Sequence, residues 1–279
     1  MKFIKYHGLG NDFLVFARGL DGARSLTPEE VVAVCDRRFG VGADGVILAR
    51  PSEVAALRME LVNSDGTTPE MCGNGIRCLV AYAVDELGFA ENPLEVETLA
   101  GVLACAWRRG EDGRMASVRV SMGRPVFERA LIPVAGEGDA LALEVSTPER
   151  TFVGTGVGTG NPHYVLFGDA RRETASHYGP LLERHPTFPR GTNVEFAEVL
   201  APDHIRLTVW ERGCGLTMAC GTGATATVAA AVRHGLVRAD APVRVSLPGG
   251  DLAITVSAAL DAAIMEGPAR EVFRGRIHI

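Results

Sequence analysis

An internal duplication is the feature that most constrains the fold of this 279-residue chain. Three blocks recur in the same order, about half the chain length apart. Gly8-Leu-Gly-Asn11 recurs as Gly158-Thr-Gly-Asn161, Cys72-Gly-Asn-Gly75 as Cys220-Gly-Thr-Gly223, and Val96, Gly101 and Leu103 as Val245, Gly250 and Leu252, at shifts of 150, 148 and 149 residues. Shared turn chemistry would not produce collinear matches at a nearly constant offset. We therefore infer a gene duplication.

The duplication predicts two pseudo-symmetric domains of an α+β fold, with the active site in the cleft between them. One domain comprises residues 1–120 together with 267–279 and carries Cys72, and the other comprises residues 121–266 and carries Cys220. The last stretch, residues 267–279, repeats nothing in the second half and alternates apolar with polar residues. We expect it to return to the first domain as a strand.

Local patterns predict a largely antiparallel sheet or barrel wrapped around one central helix in each domain. Helices are indicated at residues 27–38, with Thr27 as N-cap before Pro28, and after each Cys-Gly motif, at residues 75–87 and 223–234. Apolar or alternating runs indicate strands at residues 58–62, 94–98, 117–121, 204–210, 243–247 and 252–256.

Composition excludes several classes of protein. A net charge of -6 and a pI near 5.7, without a block of Lys or Arg, argue against nucleic acid or an anionic membrane as partner. The longest uncharged stretch, residues 213–232, is too rich in Gly and Thr to span a membrane. The first 16 residues lack the apolar run of a signal peptide. We expect a cytoplasmic protein that binds a small molecule.

The cysteines and lysines limit the cofactors. Six cysteines without a Cys-x-x-Cys pair fit neither a disulfide scaffold nor a zinc site, which predicts reduced thiols and no metal. Lysine occurs only as Lys2 and Lys5, both in the first predicted strand, so a pyridoxal Schiff base is improbable. We expect no cofactor.

Cys72 and Cys220 each stand immediately before a predicted helix. The first N–H groups of a helix and its dipole favour bound anions, and glycines let the backbone approach them closely. The same field is expected to lower the thiol pKa. Two such thiols would supply the base and the acid that inversion of an amino-acid α-carbon requires. A single cysteine before a glycine turn is more often a small buried hydrophobic residue, so the catalytic interpretation depends on the pair. We assign Cys35, Cys78 and Cys105 to core positions and Cys214 to a loop.

Further polar residues accompany the two cysteines. Asn63 and Glu211 each precede their cysteine by nine residues, and Arg212 is a candidate carboxylate clamp. Asn11, Asn161 and Asn193 lie in glycine-flanked turns, where they either form the turn or point an amide at a ligand. His163 either tunes a thiol or is merely hydrogen-bonded.

Taken together, these motifs resemble the diaminopimelate epimerase family from Met1 to Ile279. The motifs are His7-Gly-Leu-Gly-Asn-Asp-Phe13, Gly40-Val-Gly-Ala-Asp-Gly45, Asn63-Ser-Asp-Gly66, Glu70-Met-Cys-Gly-Asn-Gly-Ile-Arg-Cys78, Gly160-Asn-Pro-His163, Gly191-Thr-Asn193, Glu211-Arg-Gly213 and Ala219-Cys-Gly-Thr-Gly223. The resemblance implies interconversion of LL- and meso-diaminopimelate for lysine and peptidoglycan synthesis, without cofactor or metal, by an enzyme that is commonly a homodimer.

The resemblance also implies roles for single residues. Cys72 and Cys220 are the acid/base pair, and His163 and Glu211 adjust the thiols. Arg212 grips the distal amino-acid group of the substrate. The full set of implied substrate ligands is Asn11, Asn63, Gly73, Asn74, Asn161, Asn193, Glu211, Arg212, Gly221 and Thr222.

Two departures from the family pattern bear on the substrate. Leu216 stands before Thr217 where the family often has Glu, and Thr67 to Pro69 replace the usual Ser and Ala before Cys72. Three alternatives stay open: a racemase or epimerase for histidine, proline or hydroxyproline, a redox sensor in which Cys72 and Cys220 form a disulfide, and a non-catalytic binding protein. The set implied for the distal amino-acid group, Asn63, Asn161, Asn193 and Arg212, is complete, which favours diaminopimelate over proline.

Overall fold

The computed structural model describes residues 1–17, 26–69 and 72–278. The chain divides into two compact units, Met1–Val120 with Glu266–Ile279, and Ser121–Met265. Glu70 and Met71, which begin the Cys72 motif, lie outside the described residues, as does Ile279.

Among the described residues, the first part of the chain supplies seven strands and two helices. Thr27 caps α1 in a capping box with Glu30, as its sequence predicts. The elements are β1 (Lys2–Gly8), β2 (Asn11–Ala17), α1 (Pro28–Cys35), β3 (Gly45–Arg50), β4 (Leu57–Asn63), α2 (Gly73–Glu86), β5 (Leu94–Thr98), β6 (Gly101–Arg109) and β7 (Met115–Gly123).

The second part repeats this order with small additions. The elements are β8 (Leu143–Ser146), β9 (Thr151–Gly158), β10 (Pro162–Phe167), α3 (Arg172–Glu183), β11 (Asn193–Ala201), β12 (His204–Glu211), β13 (Gly215–Leu216), α4 (Gly221–Arg233), β14 (Val243–Leu247), β15 (Gly250–Val256), β16 (Ala263–Gly267) and, at the end of the chain, β17 (Arg270–Arg276).

Strand pairing is the same in both units, which confirms the duplicated α+β fold. In the first unit β1–β2 is antiparallel, β2–β3 parallel, β3–β4 antiparallel, β4–β5 parallel and β5–β6 antiparallel. In the second unit β9–β10, β10–β11, β11–β12, β12–β14 and β14–β15 follow the same sequence of directions. Antiparallel pairs dominate. The two strands of each parallel pair are connected through a helix.

The C-terminal strand completes the first unit. In the second unit β8 pairs with β9. The matching place beside β1 is taken by β17, which pairs antiparallel with it, so the expected return of the C-terminal segment is confirmed. Phe3 of β1 packs its ring against Phe273 of β17 at a centroid distance of 5.9 Å.

The central helices are buried almost all round. In α2 every residue from Gly73 to Val84 is buried, and in α4 all residues from Gly223 to Ala231 are. A helix that is apolar on every face belongs in a core. Small side chains along α4 let the surrounding strands approach closely, and α4 packs against β9, β10, β11 and β15.

Most predicted elements are confirmed, but the predicted end of the first helix is wrong and one helix was missed. The first helix ends at Cys35 instead of Arg38, because the Asp36 carboxylate accepts hydrogen bonds from the N–H groups of Arg38 and Phe39 and turns the chain. Helix α3 was not predicted, since Gly179 and Pro180 interrupt its pattern. Within residues 1–17, 26–69 and 72–278, no helix combines the length and apolar character needed to cross a membrane.

Candidate active site

Cys72 is the N-cap of α2. Its backbone is extended, and its Sγ accepts a hydrogen bond from the N–H of Gly75 at 3.3 Å. The thiol is half-buried and lies at the positive end of a 14-residue helix dipole. The predicted setting of this cysteine is therefore present.

An amide network adjoins Cys72. Oδ1 of Asn11 lies 4.0 Å from Sγ of Cys72 and accepts a hydrogen bond from Nδ2 of Asn74 at 3.0 Å. Nδ2 of Asn11 donates to Asp44 Oδ2 at 2.6 Å. The Asp44 carboxylate, on the loop before β3, thus sets the direction of the Asn11 amide.

Arg77 stabilises this network through hydrogen bonds from its guanidinium group. Its side chain is fully buried, and its guanidinium donates to the carbonyl of Gly73, to Oδ1 of Asn74 and to the carbonyl of Pro268. By donating to Oδ1 of Asn74, Arg77 turns the Nδ2 group of that amide toward Asn11. A residue in the second turn of α2 therefore orients an amide in its first turn.

Asn63, at the end of β4, is held by the loop that follows it. Its Nδ2 donates to the Thr67 hydroxyl at 3.0 Å, and that hydroxyl donates to Asp65 at 2.6 Å. Thr67, one of the two departures from the family pattern, therefore positions a predicted substrate ligand. No hydrogen bond in the described part of the first unit joins the Asn63 side chain to Asn11 or Asn74.

Cys220 repeats the arrangement at the N-cap of α4. Its Sγ accepts a hydrogen bond from the N–H of Gly223 at 3.4 Å and lies 3.5 Å from the hydroxyl of Thr222. The residue is only 4 % exposed. Thr222, predicted as a substrate ligand, therefore also contacts the thiol.

The expected lowering of the thiol pKa is wrong for Cys220. Burial raises the pKa of this thiol well above its usual value, and the negative charge of Glu211 raises it further. These effects outweigh the hydrogen bonds from the Thr222 hydroxyl and the Gly223 N–H, which lower the pKa. In the free chain at neutral pH, Cys220 is a thiol.

A chain of polar groups lies beside Cys220. Nδ1 of His163 is 2.7 Å from Oε1 of Glu195, and its Nε2 is 2.8 Å from Oδ1 of Asn161. His163 and Glu195 are fully buried. The hydroxyl of Thr159 links Asn161 to the start of α4 by donating to the carbonyl of Thr222 at 3.3 Å.

The remaining predicted ligands lie at the ends of β11 and β12. Asn193 begins β11 and is 4 % exposed, and Glu211 ends β12. Arg212 follows Glu211 and is exposed, with its Nη1 donating to the carbonyl of Arg190 at 3.0 Å. Leu216, the second departure, sits in β13 and packs against the apolar core of this unit.

Sequence reasoning missed three residues that support these groups: Asp44, Arg77 and Glu195. Asp44 and Arg77 lie within two of the motifs that resemble the family, so the sequence signalled that they matter. Their contacts could not be predicted from those motifs. Glu195 lies on a β-strand in no motif. Only the parallel register of β10 and β11 brings it to His163.

Comparison with known sequences gives one consistent family. The sequence profile of the family described as diaminopimelate epimerase matches residues 3–128 and 155–272. The chain is 49% identical over 278 residues to the diaminopimelate epimerase of Moorella thermoacetica, covering 99% of this chain and 98% of the relative. It is 49% identical over 285 residues to that of Desulforudis audaxviator, covering 99% of each.

Comparison with solved structures supports the fold. A probable proline racemase from Agrobacterium radiobacter superposes with a TM-score of 0.72 at 17% identity, covering 100% of this chain and 93% of the other. A hydroxyproline epimerase from Agrobacterium vitis gives a TM-score of 0.71 at 15% identity, with 99% and 91% coverage. The duplicated architecture described above is thus a known one.

Proposed function

The chain belongs to the diaminopimelate epimerase family, and from that premise we propose that it interconverts LL- and meso-2,6-diaminopimelate without a cofactor. One observation carries the mechanism: each unit holds a cysteine at the N-cap of its central helix, with Sγ bonded to the N–H of the glycine three residues on. Inversion of an α-carbon requires a base on one face and an acid on the other. Cys72 and Cys220 supply both.

The proton transfers balance between the two sulfurs. A thiolate takes the α-proton, so that an S–H bond forms, the C–H bond breaks and the electron pair is delocalised into the adjacent carboxylate. The second thiol delivers its proton to the opposite face and is left as a thiolate. The raised pKa of Cys220 supports its role as the proton-carrying thiol of the free enzyme. The reverse reaction exchanges the two roles.

Helix starts would stabilise the charge that develops on the carboxylate. The backbone N–H groups of Gly73, Asn74, Gly221 and Thr222 belong to the first turns of α2 and α4, at the positive ends of the two helix dipoles. Fixed donors of this kind act most strongly where charge appears in the transition state. They would donate hydrogen bonds to the proximal carboxylate.

The remaining predicted ligands would bind the rest of the substrate and tune the thiols. We assign Asn11 to the proximal end of the substrate and Asn63, Asn161 and Asn193, together with Arg212, to its distal amino-acid group. Arg212, exposed beside Glu211, has the fork geometry that a distal carboxylate fits. Glu211 tunes Cys220 through its charge, and His163 is the second thiol-tuning residue.

The test is α-proton exchange in D2O with LL-diaminopimelate under reducing conditions. The wild type should incorporate deuterium and form the meso isomer, whereas Cys72→Ala and Cys220→Ala should lose meso formation by at least about a thousandfold, as expected when an acid or base is removed. Cys105→Ala is the matched control, because that thiol is buried in the core of the first unit. It should retain activity.

A substrate panel separates the alternatives. If proline or hydroxyproline is racemised and diaminopimelate is not, the proposed substrate is wrong while the two-thiol mechanism stands. If the reduced wild type exchanges no α-proton of any amino acid, the enzyme proposal fails. Retained ligand binding with a reversible Cys72 to Cys220 disulfide would then favour a redox or binding role.

A cytoplasmic homodimer is also part of the proposal. Thiols that act as acid and base must stay reduced, as they do in the cytoplasm. Sedimentation equilibrium of the purified chain would give the oligomeric state directly. A mass near 29.6 kDa would contradict the dimer.

A further inference from the structure

The buried pair of Glu195 and His163 neither gives nor takes a proton in the proposed transfers. Their side chains are fully buried and joined by a 2.7 Å hydrogen bond between Oε1 and Nδ1. In the parallel register of β10 and β11, His163 pairs with Asn193. Glu195 lies two residues after Asn193 on β11. A carboxyl group in a protein interior costs stability unless it is bonded, so its presence calls for a physical reason.

The hydrogen-bond chain determines which ring nitrogen of His163 carries a proton. Nε2 faces Oδ1 of Asn161 at 2.8 Å, and an amide oxygen only accepts. Nε2 therefore carries a hydrogen. Nδ1 and Oε1 of Glu195 then share one proton, either as imidazolium with carboxylate or as neutral ring with carboxylic acid, and the pair has no net charge in both forms.

The same chain determines the direction of the Asn161 amide. Its Oδ1 accepts from Nε2 of His163 at 2.8 Å, which leaves Nδ2 at the other end of the amide. No residue in the described part of the chain accepts a hydrogen bond from that Nδ2. In the first unit the corresponding Nδ2 of Asn11 donates to Asp44. The amide donors of Asn161 are thus the ones kept available for an anionic ligand.

The first unit shows that the fold does not require a polar pair here. Strand register equates His163 with Phe13, since Phe13 pairs with Gly45 as His163 does with Asn193. By the same register, Glu195 is equivalent to Ile47. A Cβ built on Gly223 would lie 2.9 Å from Glu195 Oε1, and one on Gly75 would lie 3.4 Å from Ile47 Cδ1, which places the two side chains alike. One unit fills this place with apolar side chains and the other with a hydrogen-bonded pair.

We propose that Glu195 is a positioning residue: it fixes the ring of His163, and His163 in turn holds the Asn161 amide with its N–H groups turned toward a substrate carboxylate. This inference rests on the proposed function for the identity of that substrate. The positioning itself rests on the two hydrogen bonds and on the contrast with Phe13 and Ile47.

The first arm of the test measures the imidazole directly. The full chain is labelled with 15N-histidine, and the His163 signals are assigned by their loss in His163→Phe. In the wild type Nε2 should be protonated and Nδ1 strongly hydrogen-bonded. Glu195→Gln should keep that pattern, because its amide can donate to Nδ1, whereas Glu195→Ile should give a ring that averages between tautomers. Unchanged His163 signals in Glu195→Ile would overturn the proposal.

The second arm measures kinetics with LL-diaminopimelate. Glu195→Ile should raise KM about tenfold with a smaller change in kcat, and Glu195→Gln should stay within about threefold of the wild type. Glu198→Gln is the matched control, since Glu198 lies on the same strand but is paired with Arg206 at the surface. A fall in kcat without a change in KM would show that Glu195 acts on the thiol and not through Asn161.

A double variant tests whether the two residues act as one unit. Glu195→Ile combined with His163→Phe recreates the apolar pair of the first unit, and its KM should equal that of His163→Phe alone. This variant also serves if Glu195→Ile does not fold. An additive loss would contradict the proposal. If the wild type lacks diaminopimelate activity, the proposed function fails, but the NMR arm still decides the positioning of His163.

Discussion

Oδ1 of Asn193 accepts a hydrogen bond from the backbone N–H of Arg212 at 2.9 Å, and Nδ2 of the same amide donates to the carbonyl of Pro162 at 2.8 Å. One buried side chain therefore connects the start of β11 to the turn that carries Arg212 and to the first residue of β10. The Asn193 amide therefore positions two other segments of the chain.

Replacing Asn193 by Ala should loosen the Arg212 turn. We expect KM for LL-diaminopimelate to rise about tenfold, and the free energy of unfolding to fall by about 1 to 3 kcal/mol, because the buried carbonyl of Pro162 and the part-buried N–H of Arg212 lose their partner. Steady-state kinetics and urea unfolding measure the two effects. If Arg212→Met raises KM by a factor that simply multiplies with that of Asn193→Ala, the two residues act independently.

Gly223 and Gly75 offer a matched pair of substitutions at equivalent helix positions. A Cβ on Gly223 would lie 2.9 Å from Glu195 Oε1 and 3.3 Å from Cys220 Sγ, whereas the contacts of a Cβ on Gly75 begin at 3.4 Å. Gly75→Ala should be neutral or stabilising by up to about 1 kcal/mol, since Ala favours a helix. Gly223→Ala should lose most activity and about 1 to 3 kcal/mol of stability. Equal effects in thermal unfolding and activity assays would show that the tighter packing around Gly223 is irrelevant.

Arg77 should contribute mainly to stability. Arg77→Met leaves the carbonyls of Gly73 and Pro268 and the Asn74 amide without their donor, so we expect a loss of about 3 kcal/mol in urea unfolding. The equivalent residue in α4 is Thr225, whose hydroxyl donates to the carbonyl of Gly221. Thr225→Val should cost only about 1 kcal/mol. A stability of Arg77→Met equal to that of the wild type would refute this view of the guanidinium.

Alkaline pH should destabilise the first unit through Cys105. Burial raises the pKa of its thiol from 9.0 to about 12. The folded chain therefore keeps a proton that the unfolded chain releases above pH 9, and stability falls by roughly 1.4 kcal/mol per pH unit as the pH rises from 9 toward 12. Unfolding measured from pH 7 to 10.5 should show a shallower decline for Cys105→Ala than for the wild type. Parallel curves would exclude this contribution.

The sequence by itself determined the duplication, the α+β class and the two cysteine N-caps. These features are local or repeated: a Cys-Gly-x-Gly before a small apolar run specifies a helix start wherever it stands. The core positions of Cys35, Cys78 and Cys105 also followed from their surroundings, and burial confirms them. A repeat detected in the chain implied a repeat in the fold because each half has the same pattern to bury.

Tertiary structure alone decided the partners of those residues. Glu195 meets His163 only because β10 and β11 are parallel in one register, and β17 reaches β1 from the far end of the chain. The thiol pKa of Cys220 is raised because burial and the charge of Glu211 outweigh the hydrogen bonds that the thiol receives at the start of α4. Burial, register and long-range charge are sums over distant residues, so no local pattern carries them.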